Sequence, residues 1–260
     1  MASRSPEIEI EGLEDGFASR IVLNRPGKKN ALSQQMLSEL RQALESVESG
    51  PARIVILCSA VSGAFCSGFD IEHLRSGEEA AGIELLYECF DAIEKSSKIF
   101  VCFADGSVHG GGVELFLSCD LRLATPRSVF RMTPVRLSQV YRADGVARVV
   151  NAVGATAAAE MFLTARAIPA DEALRIGLVT RVVEGVDAVT SYVEDLAACA
   201  PDAQRGAKLL LRALAAKNGR PELSERDWAR LNELRLSAHS GPHRKEALQA
   251  FAERRNPQFR

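Results

Sequence analysis

Two short, continuous apolar runs, Arg53–Ser59 and Ile99–Ala104, each lead into a glycine-bearing loop and then a segment of helical periodicity. An apolar run this short, without alternation, suits a strand buried on both faces. Such strands belong to parallel sheets covered by helices. The loops are Gly63–Asp70 and the stretch from Asp105-Gly106 to the triple glycine Gly110-Gly111-Gly112. The segments that follow, Gly82–Lys95 and Val113–Asp120, read as helices, and Leu121–Ala124 reads as a further strand. This rhythm predicts an α/β fold with a parallel core. Upstream, Ile8, Ile10 and Leu13, then Ala18–Leu23, predict a β-hairpin around Asp15-Gly16. Asn24–Leu32 is a polar loop, and Ser33 is placed to cap a helix through Met36, Leu37, Leu40 and Leu44. From about Asp202 the pattern is helix only, over Ala207–Lys217, Glu222–Ala238 and Arg244–Arg254. The chain therefore divides by pattern into a core, residues 1–201, and a helical tail, residues 202–260, which must pack on the core or on another subunit.

With 260 residues and 47% hydrophobic content the chain can fill a sizeable core, and a net charge of −2 gives no argument for a nucleic-acid partner. A small phosphate ligand stays open, because a few local Lys and Arg residues suffice. The six cysteines form no CxxC pair and lie mostly in apolar runs, which suits buried, reduced thiols in a cytoplasmic protein. The start is acidic and alternating rather than basic then apolar, so no secretory signal is expected. No apolar run approaches the ~20 residues needed to span a bilayer, so no membrane association is expected. Histidines and cysteines lack ligand spacing, so no metal is expected.

Three glycines between a strand and a helix need a physical reason. Without a Cβ, backbone amides come close to a ligand. The helix start adds unpaired N–H groups and a positive dipole end. Together they suit an oxygen that becomes negative during reaction. Glu114 lies about one turn beyond and its carboxylate can face the same side. The alternative is a turn shaped for tight packing, with Glu114 a solvated first-turn carboxylate. The Gly63–Asp70 loop argues for the first reading, because it too follows a buried strand and presents backbone amides.

These segments resemble the crotonase (enoyl-CoA hydratase/isomerase) superfamily over nearly the whole chain. Leu23-Asn24-Arg25-Pro26 with Lys29-Asn30-Ala31-Leu32-Ser33 is similar to the family's early CoA-binding loop. Ala64–Asp70 resembles its first oxyanion loop, and Gly110–Glu114 through Ser118-Cys119-Asp120 its second. Ile168–Leu174 with Ile176–Val179, and Ala250–Phe259, match later signatures. The resemblance implies a spiral of ββα turns with C-terminal helices that mediate trimers, often paired into hexamers. It implies an oxyanion hole from the backbone N–H groups of Phe69 and Gly111. It implies a CoA thioester as substrate, no other cofactor, and an adenine near Ser67. Ala31, Asp70 and Ile71 belong to the implied CoA-binding segments. Arg25, Lys28 and Lys29 are candidates for the nucleotide phosphates, or else a solvated basic loop.

Hydration of an enoyl thioester needs two carboxylates flanking one water. The resemblance makes Glu114 the first; where hydratases carry the second, this chain has Pro134. The run Met132-Thr133-Pro134-Val135 with Tyr141 is similar instead to the methylmalonyl-CoA decarboxylase branch, which makes Glu114 and Tyr141 the catalytic candidates. Loss of CO₂ from a malonyl-type thioester leaves an enolate that the oxyanion hole stabilises, and no general base is needed to start. That branch usually has histidine at Phe69 and asparagine at Arg142. His109, Thr133, Pro134, Arg136 and Arg142 are the acyl-pocket candidates, each with a packing or solvent-facing alternative. Tyr141 either orients the leaving carboxylate, delivers a proton or only packs. The leading expectation is a decarboxylating acyl-CoA lyase. Its alternatives are a hydratase or double-bond isomerase using Glu114, and a non-catalytic acyl-CoA-binding protein.

Overall fold

A computed structural model describes residues 6–13, 16–70, 72, 79–215 and 224–259. Asp15 and Ile71 lie outside the described residues. The chain divides into two compact units, Met1–Val189 and Thr190–Arg260.

The first unit starts with strands β1 (Ile8–Gly12) and β2 (Ala18–Leu23), which pair antiparallel as the hairpin pattern predicts. Helix α1 (Gln34–Ser49) follows, and the Ser33 side chain accepts a hydrogen bond from the Met36 N–H at its start. Met36, Leu37, Leu40, Ala43, Leu44 and Val47 form its buried stripe. Each fully buried leucine there contributes about 1.5–3 kcal/mol. Three ββα turns come next. They are β3 (Ile54–Ser59), β4 (Gly63–Cys66) and α2 (Glu79–Lys95); β5 (Ile99–Ala104), β6 (Gly106–His109) and α3 (Gly111–Ser118); β7 (Leu121–Ala124), β8 (Val129–Arg131) and α4 (Ala143–Thr164). The unit continues through β9 (Ile168–Pro169), α5 (Ala170–Arg175), β10 (Arg181–Val182) and the start of α6 (Val186–Ala197).

Each turn places one strand in each of two sheets. The larger runs β1-β2-β3-β5-β7-β10 and is parallel from β2 onward; the smaller runs β4-β6-β8-β9, with β4, β6 and β8 parallel. The two apolar runs that anchor the sequence reading are β3 and β5, neighbours in the larger sheet. The smaller sheet corrects that reading. Gly63–Cys66 and Gly106–His109, expected as loop, are strands, because each is only four residues long and opens on glycine. At Gly106 the backbone has φ +120, and a Cβ there would stand 2.1 Å from the carbonyl carbon and oxygen of Gly63. Gly106→Ala is therefore expected to destabilise the first unit by about 3 kcal/mol or more, from strained backbone and overpacking. Urea unfolding checks this.

Helix α4 is the longest helix among the described residues. By length and composition it is a candidate membrane span. Gly154, at φ 77 and ψ 163, breaks it into two arms, each far shorter than the ~20 residues a bilayer requires. Its first arm also carries Arg148, which is ion-paired to Glu94 and Glu114.

The second unit contains α7 (Pro201–Ala215), α8 (Glu225–Ser240) and α9 (Pro242–Glu253). The all-helical pattern of the tail is present as expected, and the division between units falls ahead of α7. His243 Nδ1 lies 2.7 Å from the Asp202 carboxylate, which ties α9 to α7. Glu246 accepts from Arg255 at 2.6 Å and from the Gln258 N–H at 2.7 Å, which pins the C-terminal segment onto α9.

Candidate active site

The parallel strands of the smaller sheet end side by side, and the loops beyond Cys66, His109 and Arg131 meet there. Ends of this kind are where parallel sheets place ligands. The first loop is anchored by a single parallel bridge between Leu32 and Phe69. The Leu32 N–H donates to the Gly68 carbonyl at 2.8 Å, and the Asp70 N–H donates to the Leu32 carbonyl at 3.1 Å. In a parallel bridge the central residue's own N–H turns to the opposite side, which for Phe69 is the side of Gly111. The Cys66 thiol donates to the Asn30 carbonyl at 3.1 Å and accepts from the Gly68 N–H at 3.4 Å. Burial pushes that thiol up to about 12, so it braces the loop as a neutral donor.

The second loop turns into α3 at Gly110, whose φ of 53 and ψ of −121 are closed to residues with a side chain. Its N–H donates to the Arg131 carbonyl at 2.9 Å. A Cβ at Gly110 would meet Thr133 Oγ1 at 3.2 Å and the Tyr141 hydroxyl at 3.3 Å. At Gly111, the first helical residue, a Cβ would stand 3.5 Å from the Phe69 nitrogen. The amides of Phe69 and Gly111 are thus neighbours, and the positive end of α3 lies behind Gly111. Two N–H groups and a helix dipole converging on one point stabilise an oxygen that gains negative charge.

Glu114, on the first turn of α3, has no exposed surface. Its Oε2 accepts from the Tyr87 hydroxyl at 3.3 Å and from Arg148 Nη1 at 3.2 Å. Its Oε1 is buried and has no hydrogen-bond partner among the described residues. Burial pushes this carboxyl up to about 7, against the pull of Arg148 and Tyr87 toward the ionised form. It borders a cavity of about 170 Å³ lined also by Phe69, Leu86, Tyr87, Gly111 and Tyr141. A carboxyl poised near neutrality beside an oxyanion site can take up or deliver one proton at the carbon next to a thioester carbonyl.

Tyr141 is packed edge-on against Phe162 at 5.7 Å and lies near Glu114; burial, then the charges of Glu114 and Tyr87, hold its hydroxyl well above the ordinary range. Pro134 is buried at the start of a 3₁₀ turn, Pro134–Leu137, and lines a second, apolar cavity of about 430 Å³ that shares Gln139, Val140 and Tyr141 with the first. Arg136 is exposed on that turn and stands apart from both cavities. Arg142 borders the first cavity, but its guanidinium lies 4.3 Å over the Tyr87 ring and pairs with Glu84 and Asp144. His109 pairs in register with Arg131, and burial, Arg131 and Lys29 hold its pKa below the usual value.

Among the CoA-binding candidates, Arg25 is committed to the protein. It reaches the Ala31 carbonyl and Asp70 at 2.7 Å each and Glu7 at 3.1 Å. Burial opposes ionisation of Asp70, but the bonds from Arg25 and the Glu72 N–H outweigh it and lower its pKa. Lys28 is exposed and paired with Glu72, and Lys29 is exposed in the left-handed region at φ 50. The Ser67 hydroxyl donates to the Lys28 carbonyl at 3.0 Å. Ile71 is not among the described residues.

Sequence reasoning missed Tyr87, Glu94, Gly145 and Arg148. A Cβ at Gly145 would stand 2.3 Å from Glu114 Oε2 and 2.7 Å from the Tyr87 hydroxyl, so the bare backbone of α4 makes room for the carboxyl. The one available signal was Arg148, a charge inside the apolar stretch Val146–Val150.

A profile of the family described as enoyl-CoA hydratase/isomerase matches residues 16–260. The chain is 31% identical to the (E)-benzylidenesuccinyl-CoA hydratase of Thauera aromatica over 249 residues, covering 92% of this chain and 94% of that one. It is also 31% identical to the methylmalonyl-CoA decarboxylase of Escherichia coli (strain K12) over 246 residues, covering 92% and 93%. Among solved structures, an enoyl-CoA hydratase/carnithine racemase from Magnetospirillum magneticum superposes with a TM-score of 0.88 at 28% identity, over 99% of this chain and 96% of that one.

Proposed function

Because the chain belongs to the enoyl-CoA hydratase/isomerase family of the crotonase superfamily, and so processes acyl-CoA thioesters, we propose that its reaction is decarboxylation of a malonyl-type thioester. The observation that carries this reading is that Glu114, poised near neutrality, is the one carboxyl among the described residues lining the first cavity; the family resemblance puts Pro134 where hydratases carry a second acid. Syn-addition of water has lost one of its two carboxylates. Decarboxylation needs none at the start. The bond from Cα to the carboxylate breaks, CO₂ leaves, and the electron pair becomes a thioester enolate facing the Phe69 and Gly111 N–H groups. A proton then returns to Cα from the neutral Glu114 carboxyl, which is reprotonated from water. The apolar walls, Phe69, Leu86 and Val140, favour loss of a poorly solvated carboxylate. Tyr141, between the two cavities, orients that carboxylate.

One observation favours a second reading, double-bond isomerisation. Glu114 Oε1 has no hydrogen-bond partner among the described residues, and one such oxygen suffices to move a proton between two carbons of a dienolate. Mass spectrometry of methylmalonyl-CoA, malonyl-CoA, 3-enoyl-CoA and crotonyl-CoA incubations separates the outcomes. Loss of CO₂ is expected. Double-bond migration alone would replace the first reading by the second, water addition at an enzymatic rate would overturn both, and tight binding without turnover would mark a non-catalytic acyl-CoA-binding protein.

The same proposal holds that the protein is cytoplasmic, uses no cofactor or metal beyond the CoA thioester, and assembles as a homotrimer or homohexamer. Exposed Leu211, Leu236, Leu248 and Phe251 on α7, α8 and α9 support the assembly, since such apolar surface gains by being covered.

A further inference from the structure

Arg148 stands between two carboxylates on two different helices. Its Nη1 donates to Glu114 Oε2 of α3 at 3.2 Å, and its Nε donates to Glu94 Oε1 of α2 at 2.7 Å. Its side chain is 9% exposed, that of Glu114 is 1% exposed and that of Glu94 is 26% exposed. The Arg148 guanidinium also lies 5.1 Å over the Phe90 ring. With both acids ionised, two carboxylates share one guanidinium, and burial penalises most the charge on the more buried of them, Glu114. The penalty is relieved when one acid keeps its proton. Glu114 is the more buried of the two and has the longer bond to Arg148, so it is the acid whose proton is held.

We propose that Arg148 is the positioning residue for Glu114, and that Glu94, by competing for the same guanidinium, sets how readily Glu114 gives up its proton. Arg148 and Tyr87 both hold Oε2, which leaves Oε1 for the substrate. The assignment rests on the reading of Glu114 as the proton-handling group. The other titratable groups facing Glu114 are Tyr87 from α2, Tyr141 from the loop before α4, and Asp144 from α4, which pairs with Arg142. None of these competes for Arg148 through a bond as short as that of Glu94.

The prediction is a pair of opposite shifts. Glu94→Gln frees the guanidinium for Glu114 and removes a like charge, so the Glu114 midpoint falls by about one pH unit. Arg148→Met removes the cation and raises the midpoint by about one unit or more. Arg148→Lys keeps the charge and holds the midpoint nearer the wild-type value. Carbon-13 NMR of protein carrying side-chain-labelled glutamate reads this directly, with the Glu114 resonance assigned by its loss in Glu114→Gln. The titration needs no turnover, so the result stands apart from the identity of the reaction. Where turnover is followed, Arg148→Lys lowers kcat and leaves KM for the thioester unchanged, because the oxyanion loops are untouched. Midpoints that stay together in Glu94→Gln and Arg148→Lys, or that move the same way in Glu94→Gln and Arg148→Met, would overturn the assignment. Should Arg148→Met fail to fold, the partly buried Glu94→Gln and the conservative Arg148→Lys still decide it.

Discussion

Replacing Glu114 by glutamine is expected to lower kcat about 10²- to 10⁴-fold, the range for losing one positioned acid or base. KM should change little, because the amide keeps the size of the carboxyl and the binding loops lie elsewhere. The pH dependence of the wild-type protein carries the reaction type. Burial places the Glu114 carboxyl at about 7, so its two protonation states exchange dominance near neutrality. A decarboxylase that returns a proton from Glu114 needs the neutral acid, and its kcat falls as pH rises through about 7. An isomerase that begins by abstracting a proton needs the carboxylate, and its kcat rises through the same range.

The same group affects stability. An acid with a raised folded pKa binds its proton more tightly in the native state. Stability relative to the fully ionised chain is therefore complete below the unfolded value of 4.5 and is lost as pH rises through about 7. Glu114→Gln removes this dependence. It should stabilise the protein by about 3 kcal/mol at about pH 9 and by almost nothing at about pH 4. Urea melts of both proteins at the two pH values measure the difference. A variant destabilised equally at both would show that Glu114 is ionised throughout.

Gly111→Ala is expected to give the second large effect, a fall in kcat of about 10²- to 10³-fold in a folded protein. The new methyl group would stand 3.5 Å from the Phe69 nitrogen, 3.7 Å from a Leu86 methyl and 3.8 Å from a Leu32 methyl, ordinary contacts that require no rearrangement. On the proposed reading, the methyl occupies space beside the Phe69 amide that the thioester oxygen would use. Stability should hold or rise by up to about 1 kcal/mol, since alanine favours helix over glycine. Steady-state kinetics with a thermal melt separates a blocked oxyanion site from a damaged fold. Unchanged kcat would remove Gly111 from the mechanism.

The larger sheet was legible in the sequence because Ile54–Cys58 and Ile99–Ala104 are continuous apolar runs, a pattern that solvent-facing segments do not sustain. The smaller sheet was not. Gly63–Cys66, Gly106–His109 and Val129–Arg131 are too short for periodicity to register, and they pair with one another and with the two-residue strand Ile168–Pro169. The two glycine-bearing loops at the ends of the parallel strands were legible for the opposite reason. Gly110-Gly111-Gly112 has few uses at a strand-to-helix junction, and the chemistry there belongs to the backbone.

Side-chain chemistry needs partners brought from a distance. Glu114 was visible as a carboxyl at the right place, but neither its burial nor its state of charge could be read locally. Apolar runs and glycines act through their immediate neighbours, so residue order alone specifies a parallel α/β core with two glycine-bearing loops. What Glu114 is depends on the fold. Tyr87 and Arg148 reach it from two helices remote in sequence, with Arg148 held in turn by Glu94, and the Coulomb and desolvation energies that place its proton depend on distances and burial that the folded chain alone creates.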